Sequence, residues 1–162
     1  MKKNGFTIIE LLIVIALIAI FTVGTLTILN PLEQLKKGND ARRKSDLAQI
    51  QKAMEAFYND TGRYPTATIN YRIQDLNGNE INWGSSWAPY MNLLPSDPGK
   101  TNYIYYSQNG QSYYLYASLE RGVNDPDTCQ DGQCPSKGGI DMSNACGKKC
   151  NYGASSPNVS IE

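Results

Sequence analysis

One carboxylate stands inside a run that is otherwise apolar. Residues 6–29 read FTIIELLIVIALIAIFTVGTLTIL, 24 residues in which Glu10 is the single formal charge. A carboxylate at the centre of a bilayer costs about 2.5–3.5 kcal/mol on insertion scales, and charges in such segments face a partner. No Lys or Arg lies within residues 6–29, so this helix cannot supply that partner. Two chemistries stay open. Near a helix start, Glu10 complements the positive end of the helix dipole. Alternatively it pairs with a cation on another chain, for which a neighbour's free α-amino group is one candidate.

Two further groups of residues have chemistry to offer. Cys129, Cys134, Cys146 and Cys150 are spaced C-x4-C-x11-C-x3-C. Structural zinc sites use tighter pairs such as C-x2-C, and a domain exported past a membrane anchor sits where disulfides persist. The spacing therefore favours two disulfides. Local closure, 129 with 134 and 146 with 150, is preferred because Asp131-Gly132 turns tightly; a nested pairing is the next alternative. Asp125, Asp127 and Asp131 form an acidic group that suits a hard cation such as calcium, which takes clustered carboxylate and carbonyl oxygens. The local DPDTCQDG lacks the EF-hand spacing, and exposed turn acids are the other reading.

The elements that must position these residues follow from periodicity. As a helix, residues 6–29 span roughly 36 Å, enough to cross a bilayer with some tilt, and within lipid the backbone satisfies itself only as a helix. A cleaved secretory peptide is disfavoured, because the run is too long and no A-x-A-like site follows. Asn30-Pro31-Leu32-Glu33 reads as a helix start, with Asn30 as cap and Pro31 first. That helix runs to about Tyr58, where Leu47, Ile50, Met54 and Phe57 form one apolar face. Gly62 and Pro65 of TGRYP end it.

The charged stretch KKGNDARRKSD, 36–46, is expected to be a solvated face; a basic patch for phosphate or lipid headgroups is the alternative. Its Lys and Arg argue against export by the positive-inside rule, while the cysteines argue for it. In the loop-rich 66–100, Trp83 and Trp87 are expected to pack on helix or sheet. YIYYSQNGQSYYLYASL gives two β-rich runs around Asn109-Gly110, a hairpin signal. Alternation puts Ile104 and Tyr106, with Tyr113, Leu115 and Ala117, over the helix. The other face is expected to show Tyr103, Tyr105, Tyr114 and Tyr116, as sheet-stabilising pairs or subunit contacts rather than a sugar- or base-binding stripe.

KKNGFTIIE resembles the type IV prepilin processing signal: a short basic leader ending in Gly, then Phe, then Glu inside a long apolar run. The resemblance implies that a membrane peptidase cuts between Gly5 and Phe6 and methylates the new amine of Phe6. It also implies that Glu10 pairs with that amine on an adjacent subunit during fibre assembly. Many such proteins carry a proline where this chain has Thr27; here the first proline is Pro31, so a kink or melted stretch is expected between residues 24 and 31. The later block ARRKSDLAQIQKAMEAFYNDTGRYPT, with LLPSDP and YYLYASL, looks like the major pseudopilins of type II secretion. In that family a helix ends in a similar turn and leads into a small antiparallel sheet, and calcium often binds in the loop after the last strands.

The composition bounds the rest. The chain has 162 residues, and removing Lys2 and Lys3 from its 15 basic residues leaves 13 against 15 acids. That balance gives no general pull toward nucleic acid. There is no histidine, the commonest acid–base and zinc-ligand side chain. The expected organisation is a leader at 1–5, a transmembrane and fibre-core helix at 6–29, an amphipathic spine helix at 30–60, and an extracytoplasmic β-rich head at 61–162. The expected fold is α+β: a long N-terminal helix packed on a small antiparallel sheet, with a disulfide-rich C-terminal loop region. The expected role is non-enzymatic, a subunit of a type IV pilus-like or type II secretion pseudopilus filament. Implied partners are further copies of itself, a prepilin peptidase, a platform membrane protein, an assembly ATPase and minor pilins or pseudopilins. The implied place is the bacterial inner membrane, single-pass with the N-terminus inside, and then the filament. A singly anchored extracytoplasmic enzyme or receptor is the competing class.

Overall fold

Thr7 begins the first helix and Asn30 ends it. Thr7 has extended backbone, φ −84° and ψ 150°, and its hydroxyl oxygen accepts from the Glu10 N–H; α1 follows at Ile8–Leu29. A computed structural model describes residues 5–161, with 23–29 described by backbone alone. The leader assignment at 1–4, with Lys2 and Lys3, lies outside the described residues. The α1 backbone continues unbroken through residues 24–29 and stops at Asn30, which is left-handed at φ 37°. The expected break is therefore confined to the last position before Pro31. Pro31 needs no N–H partner at a helix start and opens α2, Pro31–Thr61, while the Asn30 carbonyl accepts from the N–H groups of Glu33 and Gln34.

The described residues up to Leu35 form one compact unit and those from Lys36 onward another. In the first, the described apolar side chains of α1, among them Ile8, Leu12, Ile15 and Phe21, are exposed all round. A helix apolar on every side is suited to lipid or to a bundle.

The second unit is built on the stripe read from the sequence. Leu47, Ile50, Met54 and Phe57 are buried, joined by Ala53. They pack with an antiparallel sheet of order β3-β4-β5: β3 Ile104–Tyr106, β4 Tyr114–Ala117 and β5 Tyr152–Ser155. A second small hairpin, β1 Ile73–Gln74 with β2 Glu80–Ile81, lies earlier in the chain. Gly62, at φ 73°, closes α2, its N–H donating to the Tyr58 carbonyl. Trp87 packs on Phe57 at 5.7 Å between ring centroids, and Trp83 meets Tyr103 edge-on at 5.8 Å.

The hairpin forms around Gly110, whose positive φ of 73° and approach to the Tyr64 carbonyl leave no room for a Cβ, which would lie 2.7 Å from that oxygen. The assignment of faces on β3 is corrected. Ile104 pairs with Tyr116 and Tyr105 with Leu115, and directly opposed residues share a face. Tyr103 and Tyr105 therefore join Tyr113, Leu115 and Ala117 against the helix. Ile104 and Tyr116 lie on the other side with all four cysteines, and Tyr106 and Tyr114 flank them, half-buried. Tyr103 and Tyr105 can cover the helix because each ring supplies apolar area while its hydroxyl finds a polar partner. The Tyr103 hydroxyl donates to Asp46 at 2.7 Å and the Tyr105 hydroxyl to the Pro65 carbonyl at 2.6 Å.

The solvated reading of 36–46 holds for Lys37, Arg42 and Ser45, which are exposed, and is corrected at three positions. Asp40, Arg43 and Asp46 are buried, Arg43 to 1 % exposure. Arg43 lies four residues before Leu47, so it continues the apolar stripe with a charge.

Candidate functional site

The N-terminal site is assembled by one capping box. The Thr7 N–H donates to Glu10 Oε2 at 2.9 Å and the Thr7 hydroxyl to the same oxygen at 2.7 Å, while the Glu10 N–H returns a bond to Thr7 Oγ1 at 3.3 Å. Such a box satisfies helix-start donors reciprocally and places the carboxylate at the positive end of the dipole. Both carboxylate bonds end on Oε2, so Oε1 lies outside the box. The sequence reading placed Glu10 near a helix start and missed Thr7 as its partner; the T-x-x-E spacing was the available signal.

Gly5 and Phe6 precede the helix in irregular backbone, and Phe6 is exposed. Among the described residues, a Cβ added at Gly5 meets nothing within 4 Å. The described fold therefore makes no demand for glycine there. Among the described residues no helix is long and apolar enough to cross a membrane; in α1 the described side chains cover residues 8–22.

The cysteines close locally, as Cys129–Cys134 and Cys146–Cys150. They are buried with Ile104, Tyr116, Ile140 and Met142, forming a second small core beneath the sheet. The Cys129 N–H donates to the Asn151 carbonyl and the Cys134 N–H to that of Cys150, both at 2.8 Å. Asn151 leads directly into β5, so the bridged loops and the third strand order one another. The sequence reading missed β5, because NYGASS has neither alternation nor a run of β-branched residues.

The three candidate calcium residues do not converge. Asp125 and Asp127 come together, but on Lys44, whose ammonium donates to Asp125 Oδ1 at 2.5 Å and Asp127 Oδ2 at 2.6 Å. Asp131 sits in a 3-10 turn, Gln130–Gly132, at φ 57°, and lines a shallow depression with Pro135, Ser136 and Lys149. Among the described residues no group of three or more His, Cys, Asp or Glu side chains is gathered to hold a metal.

Sequence reasoning also missed the Arg43 cluster. Arg43 donates to both oxygens of Asp97, at 2.7 and 3.0 Å, to Asp40 at 2.9 Å and to Glu120 at 3.0 Å. Asp40 in turn accepts from the N–H groups of Glu120 and Arg121, at 2.8 and 3.0 Å. The loop after β4 is thereby fastened to α2. Gly99 completes the fit, since a Cβ there would lie 2.9 Å from Arg43 Nη2.

This network makes the head sensitive to acid. Burial acts to raise the Asp97 carboxyl, but its bonds from Arg43 and Gly99 outweigh that and hold it below its ordinary value of 3.8. Burial is likewise outweighed at Glu120 by Asn39 and Arg43, and at Asp125 by Lys44 and the Asp127 N–H. A carboxyl lowered on folding contributes stability above its unfolded value and loses it as pH falls through the folded one. The urea midpoint of the head is therefore expected to hold steady from about pH 7 to about pH 5 and to fall below about pH 4. Tyrosine fluorescence read against urea at each pH checks this.

Comparison with known proteins agrees with this geometry. The family model described as type II secretion system (T2SS), protein G matches residues 30–130, and that of the prokaryotic N-terminal methylation motif matches residues 1–26. The type II secretion system core protein G of Escherichia coli (strain K12) is 23 % identical over 105 residues, which cover 64 % of this chain and 71 % of that protein. No solved structure matches the chain. With the methylation motif ending inside α1 and the second match running from the start of α2 past β4, the chain belongs to the type II secretion system protein G family.

Proposed function

We infer that the chain, cut between Gly5 and Phe6, is a structural subunit of a type II secretion pseudopilus. The observation that carries this is Glu10: a carboxylate five residues past the motif's glycine, in the first turn of a helix that is apolar on every described side. In a filament such helices bundle in the core, and the carboxylate of one subunit meets the N-terminal amine of another. A head-to-tail contact that does not close on itself propagates as a fibre.

Residues 6–29 hold the subunit in the inner membrane before extraction, with the N-terminus inside and the head outside. The length and apolarity of the run support the span, and the two disulfides of the head support an oxidising compartment. The partners that follow are a prepilin peptidase that cleaves and methylates Phe6, a platform membrane protein, an assembly ATPase and minor pseudopilins. The protein G match favours the secretion pseudopilus over a type IV pilus. The role is structural: the family argues for a scaffold.

The test is electron microscopy of sheared surface material from cells expressing the chain with its assembly machinery, with mass spectrometry of the main subunit. Filaments whose subunit begins at N-methylated Phe6 are expected. A chain that still begins at Met1 and stays monomeric overturns the reading.

A further inference from the structure

We propose that the ammonium of Lys44 is the resident cation of the loop after β4, standing where a divalent ion would otherwise bind Asp125 and Asp127. Calcium binds carboxylate oxygens at about 2.3–2.6 Å. Lys44 Nζ already lies 2.5 Å from Asp125 Oδ1 and 2.6 Å from Asp127 Oδ2. An ion at that point and the ammonium exclude each other by volume and by charge.

Two further groups at the position are not calcium ligands. Asp125 Oδ2 faces the Arg121 guanidinium at 3.6 Å. The Tyr152 ring lies 5.8 Å from Lys44 Nζ, within reach for a cation–π contact, and it offers a π-face where calcium needs oxygen. Calcium takes six to eight oxygens, whereas this pocket presents two carboxylates already matched by Lys44 and Arg121.

The device does what a bound ion would do for a loop. Lys44 projects from α2, one position after Arg43, and reaches residues more than eighty positions away in sequence. With Asp40 on the Glu120 and Arg121 N–H groups, it fixes the segment that leads from β4 to the first disulfide. The loop's order then depends on a side chain that is always present rather than on the concentration of a metal outside the cell.

Two measurements on the full chain in detergent micelles test this. In the first, the melting temperature is read with about 5 mM calcium, above the dissociation constants typical of extracellular calcium modules, and again with excess EDTA. The two values are expected to agree within about 1 °C; a calcium-induced rise of about 3 °C or more overturns the proposal. In the second, Lys44→Met is compared with the parent by amide hydrogen exchange. Exchange in 119–134 is expected to accelerate about tenfold while that of the α2 core stays unchanged. Unchanged exchange in that loop also overturns it. Should Lys44→Met fail to fold, the calcium and EDTA comparison on the parent still decides.

Discussion

Glu10→Leu is expected to leave cleavage between Gly5 and Phe6 intact and to lower filament yield about 100-fold or more. The substitution removes a charge from an apolar run, which favours residence in the membrane; it does not touch the leader, Gly5 or Phe6. What it removes is the carboxylate that, in the proposed filament, meets a neighbour's amine. Losing one partner of a buried pair costs about 3–5 kcal/mol, because the other charge is left unmatched. Each 1.4 kcal/mol is about tenfold in an equilibrium, so a polymer contact repeated at every subunit is lost. The capping box sharpens the expectation. The leucine variant also loses both bonds from Thr7 to Oε2, so the first turn of α1 frays. Glu10→Gln separates the two effects, since its amide oxygen still accepts from Thr7 but carries no charge. Assembly that fails with Gln as well as Leu assigns the loss to the ion pair. The readouts are the size of the chain on a denaturing gel, for processing, and sheared filaments seen by electron microscopy, for assembly. Normal filaments from both variants would remove Glu10 from the mechanism.

Parts of this molecule were legible because a single physical rule governs them. Glu10 stands out because one charge among apolar residues is improbable without a partner. The Leu47, Ile50, Met54 and Phe57 face obeys helical periodicity and is buried as expected. Local closure of the cysteines follows from short spacing around turn residues. The errors share a cause as well. Alternation groups Tyr103 with Tyr105 but does not say which face of β3 meets the helix. The register of β3 with β4 decides the face instead, and a one-residue shift exchanges every side chain. The charge density of 36–46 points Arg43 to solvent, because charge within a helix is ordinarily solvated. Its partners, Asp97 and Glu120, lie 54 and 77 positions away, and no local pattern reveals a contact of that range. The visible hint was positional: 43, 47, 50, 54 and 57 step by four, three, four and three, so Arg43 belongs to the buried stripe. The same long range hid Lys44 from the acids it holds.

Arg43→Met is expected to destabilise the head by about 3–5 kcal/mol, the range found when one member of a buried charge pair is removed. A small domain has about 5–15 kcal/mol in total, so the variant is on the margin of folding. Methionine fills much of the arginine stem's volume, which keeps the effect electrostatic rather than a cavity. Three carboxylates, from Asp40, Asp97 and Glu120, would then face one another without the guanidinium that separates them. Asp40 retains the Glu120 and Arg121 N–H groups; Asp97, whose side chain is 2 % exposed, loses its bidentate partner. The pH dependence distinguishes this account from simple loss of packing. Without Arg43 the folded-state values of Asp97 and Glu120 rise, so protonation relieves the variant at a pH where it still harms the parent. The gap between their urea midpoints is therefore expected to be widest near about pH 7 and to narrow below about pH 4.5. Adding Asp97→Asn to Arg43→Met should recover part of the loss, because it removes the enclosed charge that has lost its bidentate partner. A gap that stays constant across that pH range would mean that Arg43 acts by filling space, and that the acids beside it are held by something else.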